Sequence, residues 1–118
     1  MRIHSVDIGD SRIAIIEMGR DLLGGLESRE VRSAVEELSS KGNHNLILDF
    51  TGSVHINSMG LGVLSSAYIT YTKLGGKIAL CNCGPHIRAL LGLTKMGSLF
   101  ELCGSRGDAI QFLSKATR

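Results

Sequence analysis

Two short apolar runs constrain the fold of this chain more than any other feature: NLILDF at 45–50 and KIALCN at 77–82. Turn-forming residues bound the first run, and such a run is typical of a strand whose two faces are both covered. A stretch with helical spacing follows each run along the chain. Since strands that alternate with helices pair in parallel through right-handed crossovers, the sequence predicts an α/β fold built on a mostly parallel sheet.

An N-terminal β-hairpin is predicted before this alternating part. Segments 2–8 and 12–18 have the composition of strands, and Gly9-Asp10 between them is a turn signal. A helix then begins near Ser28, a plausible N-cap, because the apolar residues beyond it recur with helical spacing as far as Lys41-Gly42. The later predicted elements are a helix over 58–74, a helix from Pro85 to Leu93, a strand over 98–103 and a helix over 108–116. We expect one domain that covers residues 1–118.

The composition allows a self-sufficient core and argues against several function classes. The chain has 118 residues, of which 43% are hydrophobic and 20% are charged, as in ordinary globular domains. Its net charge of +2, with basic residues in no cluster, predicts no nucleic-acid partner. No apolar run has the length of a membrane span and the N-terminus does not resemble a signal peptide, so we expect a cytoplasmic protein without a membrane partner.

Three cysteines, Cys81, Cys83 and Cys103, raise the question of a disulfide or a metal site. An odd number of cysteines in a cytoplasmic chain favours free, buried thiols. Together with His86 they have the residue types of a tetrahedral zinc site, but the single residue between Cys81 and Cys83 is an unusual spacing for structural zinc. The sequence therefore predicts neither a metal nor another cofactor.

The stretch HINSMGLG at 55–62 combines capping residues with two glycines at the start of a predicted helix. Asn57 or Ser58 can cap that helix by accepting hydrogen bonds from its first-turn amides. Gly60 and Gly62 each cost about 1 kcal/mol of helix stability relative to alanine, which points to a steric reason for them. Two interpretations stay open. The glycines pack the helix tightly against its neighbours, or they leave a bare helix start whose amides bind an anion or a partner protein.

The order of motifs over residues 46–102 resembles the STAS family, which comprises anti-sigma factor antagonists and related cytoplasmic domains of sulfate transporters. The family pattern has a strand ending in Asp, an Asp-Ser-Ser/Thr-Gly-Leu-Gly turn, a helix ending in Gly-Gly, a helix opening with Pro, and a Leu-Phe strand. The matching residues here are Asp49, the turn 57–62, Gly75-Gly76, Pro85 and Leu99-Phe100. The resemblance implies a STAS-like fold, in which an N-terminal hairpin precedes alternating strands and helices, with a mixed sheet and helices mainly on one face.

The resemblance also implies a regulatory function by partner switching, without enzyme activity. In the antagonist branch, the unphosphorylated protein binds an anti-sigma factor that is also a serine kinase of the ATPase-kinase fold. Phosphorylation of a hydroxyl two residues after the Asp of the turn then ends the binding. Carried over to this chain, the partner-binding residues are Asn57, Ser58, Met59, Gly60, Leu61 and Gly62.

The turn departs from the family pattern at the two positions on which the switch depends. Met59 occupies the phosphoacceptor position and has no hydroxyl, and Asn57 replaces the Asp, which keeps the capping ability but removes the charge. Ser58 is the candidate for phosphorylation, although a step of one residue along a helix turns a side chain by about 100°. We therefore expect the binding surface without the usual switch.

Two other functions stay open. The same fold could serve as a scaffold subunit of a larger signalling assembly or as a homodimer. A small hydrolase or transferase that uses Asp49, Ser58 or His55 is the remaining interpretation, and it is supported only by the position of these residues near a strand end. The antagonist interpretation predicts a complex with a kinase-like ATPase, the scaffold interpretation predicts assembly, and the enzyme interpretation predicts Ser58-dependent labelling by an activity probe.

Overall fold

The computed structural model describes residues 1–116, which form five strands and four α-helices in the predicted order. The strands are β1 (Arg2–Ile8), β2 (Ser11–Glu17), β3 (Asn45–Asp49), β4 (Lys77–Cys81) and β5 (Glu101–Cys103). The α-helices are α1 (Gly25–Ser40), α2 (Ser58–Lys73), α3 (Pro85–Leu93) and α4 (Arg106–Ala116), and a 3₁₀ helix spans Met96–Ser98. The predicted α/β fold is therefore confirmed.

The five strands form one sheet in chain order, with β1 antiparallel to β2 and all other neighbours parallel. β3 lies at the centre of the sheet, and every residue of β3 is buried. Leu48 stands opposite Ile16 of β2 and Leu80 of β4, so that aliphatic side chains line up across the sheet. The run NLILDF is thus a strand covered on both faces, as its composition predicts.

Alternate residues of the central strands enter two separate cores. Leu46 and Leu48 of β3 belong to the core that includes residues of α1, α2 and α3, whereas Ile47 belongs to the core that includes α4. The helices therefore lie mainly on one face, in agreement with the resemblance. Because β2 and β3 are parallel, the loops that leave their carboxyl ends toward α1 and α2 lie at the same edge of the sheet.

α1 begins earlier than its sequence pattern predicts. Ser28 is not the N-cap; it is a buried residue within the helix, and the N-cap is Gly24. Gly24 and Gly25 have φ values of 104° and 68°, which glycine adopts without steric cost, so the chain can turn sharply into the helix there. The end of α1 agrees with the prediction, because Lys41 is the C-cap and its N–H donates to the carbonyl of Glu37.

The last strand and helix also differ in extent from the prediction. β5 begins at Glu101 rather than at residue 98, because the 3₁₀ helix occupies the preceding segment. α4 begins at Arg106 rather than Asp108, and the Oγ of Ser105 accepts a hydrogen bond from the Asp108 N–H as a helix cap does. None of the helices in the described part of the chain is long and apolar enough to cross a membrane.

Candidate protein-binding surface

Asn57 caps α2 and ties its start to the loop that precedes α1. Its Oδ1 accepts hydrogen bonds from the N–H groups of Met59 and Gly60, both at 3.1 Å. Its Nδ2 donates to the carbonyl of Leu23 at 3.0 Å. The prediction of a cap at Asn57 or Ser58 is therefore met by Asn57. Two of the first-turn N–H groups are hydrogen-bonded to this cap, so they are not free to bind an anion.

Gly60 is required by a close approach of the backbone. A Cβ at Gly60 would collide with the carbonyl oxygen of Leu22 and would lie 3.2 Å from the Cβ of Ile56. Leu22 and Ile56 form an isolated parallel β-bridge, and the Leu22 N–H donates to the carbonyl of His55 at 3.1 Å. Tight packing is thus the reason for this glycine, and the contact joins the loop before α1 to the loop before α2.

No close approach of the backbone explains the glycine at position 62. The nearest atom to a Cβ at Gly62 would be Nη2 of Arg32, at the ordinary contact distance of 3.7 Å. The position lies within α2, where glycine costs about 1 kcal/mol relative to alanine. The two glycines of the turn therefore have different roles, and only Gly60 is explained by packing inside the chain.

Met59 projects from the first turn of α2 onto the surface. Its side chain is 60% exposed. Its Sδ lies against Gly24, since a Cβ built on Gly24 would be only 2.8 Å from that sulfur. Leu23, Leu26 and Val54, from the same two loops and the start of α1, are also at least half exposed. Asn57 joins the two loops by donating to the carbonyl of Leu23, and exposed apolar residues on adjacent segments are typical of interaction sites.

Asp21 fastens the loop that carries Val54, a role that the sequence did not reveal. Its Oδ1 accepts hydrogen bonds from the N–H groups of His55 at 3.0 Å and Val54 at 2.7 Å, and these bonds lower the pKa of Asp21. The His55 ring in turn contacts the ring of His86 on α3, with centroids 4.8 Å apart. The loop before α2 is therefore held from both sides.

Asp49, at the end of β3, is fully engaged in hydrogen bonds. Its Oδ1 accepts from the N–H and Oγ1 of Thr51 and from Nδ2 of Asn82, and its Oδ2 accepts from Nε and Nη2 of Arg106. Burial alone would raise the pKa of Asp49, but the bonds from Asn82, Thr51 and Arg106 outweigh it and lower the pKa to about 2. Asp49 therefore orders the turn that follows β3.

This arrangement argues against a catalytic role for Asp49. A carboxyl group with so low a pKa is a weak general base near neutral pH. Its hydrogen-bond partners include neither Ser58 nor His55, the other residues of the enzyme interpretation. Asp49 is better described as the anchor of the strand ends than as a reactive group.

The three cysteines are buried and free, as predicted. Burial raises the pKa of Cys81 to about 12 and that of Cys83 to about 11, and it raises the pKa of Cys103 as well. The protonated thiol is therefore favoured, whereas a metal ligand must be a thiolate. Within residues 1–116, the side chains form no cluster of three or more metal-ligating groups.

The model of the STAS domain family matches residues 9–109. A candidate anti-sigma factor antagonist from Thermotoga maritima has a similar structure, with a TM-score of 0.82 and 19% identity over 95% of this chain and 94% of that one. An anti-sigma factor antagonist from Mycobacterium paratuberculosis has a TM-score of 0.72 and 18% identity over 96% and 93% of the two chains. The Bacillus cell fate determinant SpoIIAA, in its phosphorylated form, has a TM-score of 0.70 and 15% identity over 99% and 100%. No curated protein matches the chain. At these identities, the likeness to the solved structures is one of fold.

Proposed function

The chain belongs to the STAS domain family, and on that premise we propose that it is a non-enzymatic binding module of the anti-sigma factor antagonist type. It binds an anti-sigma factor of the ATPase-kinase fold and so frees the sigma factor that this partner holds. The start of α2, residues 57–62, forms the centre of the binding surface. Solved structures of the same fold come from anti-sigma factor antagonists, which supports this general role.

The observation that carries the proposal is the exposed Met59 on a helix start that is firmly held. The cap by Asn57 and the close contact at Gly60 fix the first turn of α2 against the neighbouring loop. Met59 nevertheless leaves 60% of its side chain in solvent. A methionine offers an adaptable apolar contact. Because the helix start that carries it is rigid, binding there has a lower entropic cost.

We further propose that this module lacks the phosphorylation switch at position 59. Met59 has no hydroxyl there, and Ser58 is the only hydroxyl residue within 57–62. Ser58 is exposed, so a kinase that reaches it would add about −1.5 to −2 charges beside Met59 and weaken the binding. The protein is therefore expected to stay competent to bind under conditions in which related antagonists are switched off.

A direct binding experiment tests the proposal. The full chain is titrated into the host's anti-sigma factor of the ATPase-kinase fold in a calorimeter, and the mixture is then incubated with ATP and analysed by intact mass. We expect a one-to-one complex and no added phosphate. A partner that gives no heat of binding in any nucleotide state contradicts the antagonist function, and a phosphate on Ser58 contradicts the missing switch.

A further inference from the structure

A groove runs along the surface between the N-terminal halves of α1 and α2, beside the proposed binding surface. It has a volume of about 540 Å³ and is lined by Ser28, Arg29 and Arg32 from α1 and by Met59, Gly62 and Val63 from α2. We call it the α1–α2 groove. Met59 belongs both to this groove and to the surface described above, so a partner that covers Met59 also reaches the groove.

Ser28 is one of the residues that line the groove, and its buried hydroxyl is unpartnered. The residue is only 7% exposed, and its Oγ has no hydrogen-bond partner in the described part of the chain. Ser39 and Ser40 of the same helix behave differently, because their hydroxyls donate to the carbonyls of Glu36 and Glu37. A buried hydroxyl without a partner is unfavourable, so Ser28 points to an acceptor group that a ligand brings.

Arg29 and Arg32 place two uncompensated positive charges at the same groove. Both are exposed and neither forms an ion pair within residues 1–116. Arg12, Arg20 and Arg106, in contrast, each pair with a carboxylate. Positions 29 and 32 are one helical turn apart and so lie side by side on α1. Two adjacent guanidinium groups match the geometry of a carboxylate, to which each can donate more than one hydrogen bond.

The other two features of the groove also leave room for a ligand. Gly62 keeps the α2 side bare although no packing inside the chain requires a glycine there. The N-cap of α1 is Gly24, which has no side chain, so no side-chain cap occupies the first-turn amides of that helix. The donors from α1 thus face a side of α2 at which Gly62 adds no side chain between Met59 and Val63.

We propose that the α1–α2 groove binds an aspartate or glutamate side chain carried by an acidic segment of the partner protein. Ser28, Arg29 and Arg32 hold the carboxylate, and apolar residues next to it on the partner pack against Met59. A protein segment fits better than a free inorganic anion, because the groove joins its donors to an apolar side chain that such an anion would not use. This inference rests on the proposed function for the identity of the partner, but not for the chemistry of the groove.

The first test compares two double variants of the full chain that lose the same charge. R29A/R32A removes the groove arginines, and R2A/K73A removes two exposed cations on β1 and at the end of α2. With the host's anti-sigma factor as partner, R29A/R32A is expected to lower the affinity at least about tenfold, and the control by less than about twofold. Equal affinities of the two variants would overturn the groove while leaving the antagonist function intact.

A second test does not depend on the anti-sigma factor. A short helical peptide with two glutamates flanked by leucines is titrated into the isotope-labelled full chain and followed by NMR. The amide signals of Ser28, Arg29 and Gly62 are expected to shift, and the peptide with glutamines in place of glutamates should bind at least about tenfold more weakly. Equal binding of both peptides overturns the proposal. Inorganic phosphate alone, if it shifts the same signals more strongly than the peptide, assigns the groove to a small anion instead.

The two tests separate the two ideas. If the wild-type chain does not bind the anti-sigma factor but its groove binds the glutamate peptide, the proposed partner is wrong and the proposed ligand of the groove is supported. If the chain binds the anti-sigma factor and R29A/R32A matches its control, the groove is wrong and the function stands.

Discussion

Arg106 donates from Nε and Nη2 to Oδ2 of Asp49, at 2.9 and 2.7 Å, and so joins the start of α4 to the end of the central strand. The Asp49 side chain is 2% exposed, whereas that of Arg106 is 34% exposed. Arg106 also donates to Oε1 of Glu17 at 2.8 Å, which brings the end of β2 into the same network. Two carboxylates from adjacent strands thus share one guanidinium.

Replacing Arg106 by alanine should destabilise the fold, because a buried carboxylate then loses its cation. We expect the free energy of unfolding to fall by about 3 kcal/mol. The hydrogen bonds that Asn82 and Thr51 still donate to Asp49 limit this loss. The control is Arg12→Ala, which breaks a solvent-exposed ion pair with Asp7 and should cost much less stability than Arg106→Ala. Urea unfolding followed by circular dichroism measures both values, and equal losses would contradict the anchoring role of Arg106.

Acid should destabilise the protein through Asp49. The pKa of Asp49 is about 2 in the folded chain, below the value of about 3.9 for a free Asp, so the folded state favours its charged form. The stabilisation is therefore complete above about pH 4 and is lost as the pH falls toward 2. Thermal melts across that range should fall more steeply for the wild type than for Asp49→Asn, whose stability carries no term from this carboxyl group. Parallel curves for the two proteins would exclude this origin of acid sensitivity.

Alanine at the two glycines of the turn should have opposite effects on stability. Gly60→Ala forces a Cβ against the carbonyl of Leu22 and should cost about 1–3 kcal/mol. Gly62→Ala meets only the end of the Arg32 side chain and should stabilise the protein by up to about 1 kcal/mol through helix propensity. Melting temperatures of the two variants provide the measurement. A destabilised Gly62→Ala variant would show that a side chain at position 62 collides with its neighbours, contrary to the 3.7 Å contact with Arg32.

Met59→Glu should weaken binding to the proposed anti-sigma factor partner without harming the fold. The side chain is 60% exposed, so the charge stays hydrated in the free protein, but it becomes buried when a partner covers the site. Ile69→Glu is the matched control, since Ile69 is 49% exposed on the same helix and lies away from the turn. We expect at least about a tenfold loss of affinity for Met59→Glu and less than about twofold for the control. If both variants bind as the wild type does, the surface lies elsewhere.

The parts of the fold that the sequence predicted well are those whose cause is local. β3 and β4 are recognisable because an apolar run of the right length needs no information from the rest of the chain. The cap of α2 is recognisable for the same reason, since Asn57 and the amides it binds are neighbours in sequence.

The features that the sequence did not reveal arise from contacts between distant segments. Arg106 and Asp49 are 57 positions apart, and no local pattern connects them. The start of α1 differs from its prediction because Ser28 has the chemistry of a cap, whereas the turn into the helix depends on the backbone angles of Gly24. The α1–α2 groove exists only once two helices are packed, so its serine and arginines look like ordinary helix residues until then.

The dual use of Asn57 has a consequence for protein engineering. A carboxylate at this position, as in the family pattern, could cap α2 but has no hydrogen with which to hold the carbonyl of Leu23. Instead it would set one oxygen against another across that gap. Residue 57 and the segment leading into α1 are therefore coupled. If one of them is exchanged for the sequence of a relative, the other must be exchanged as well.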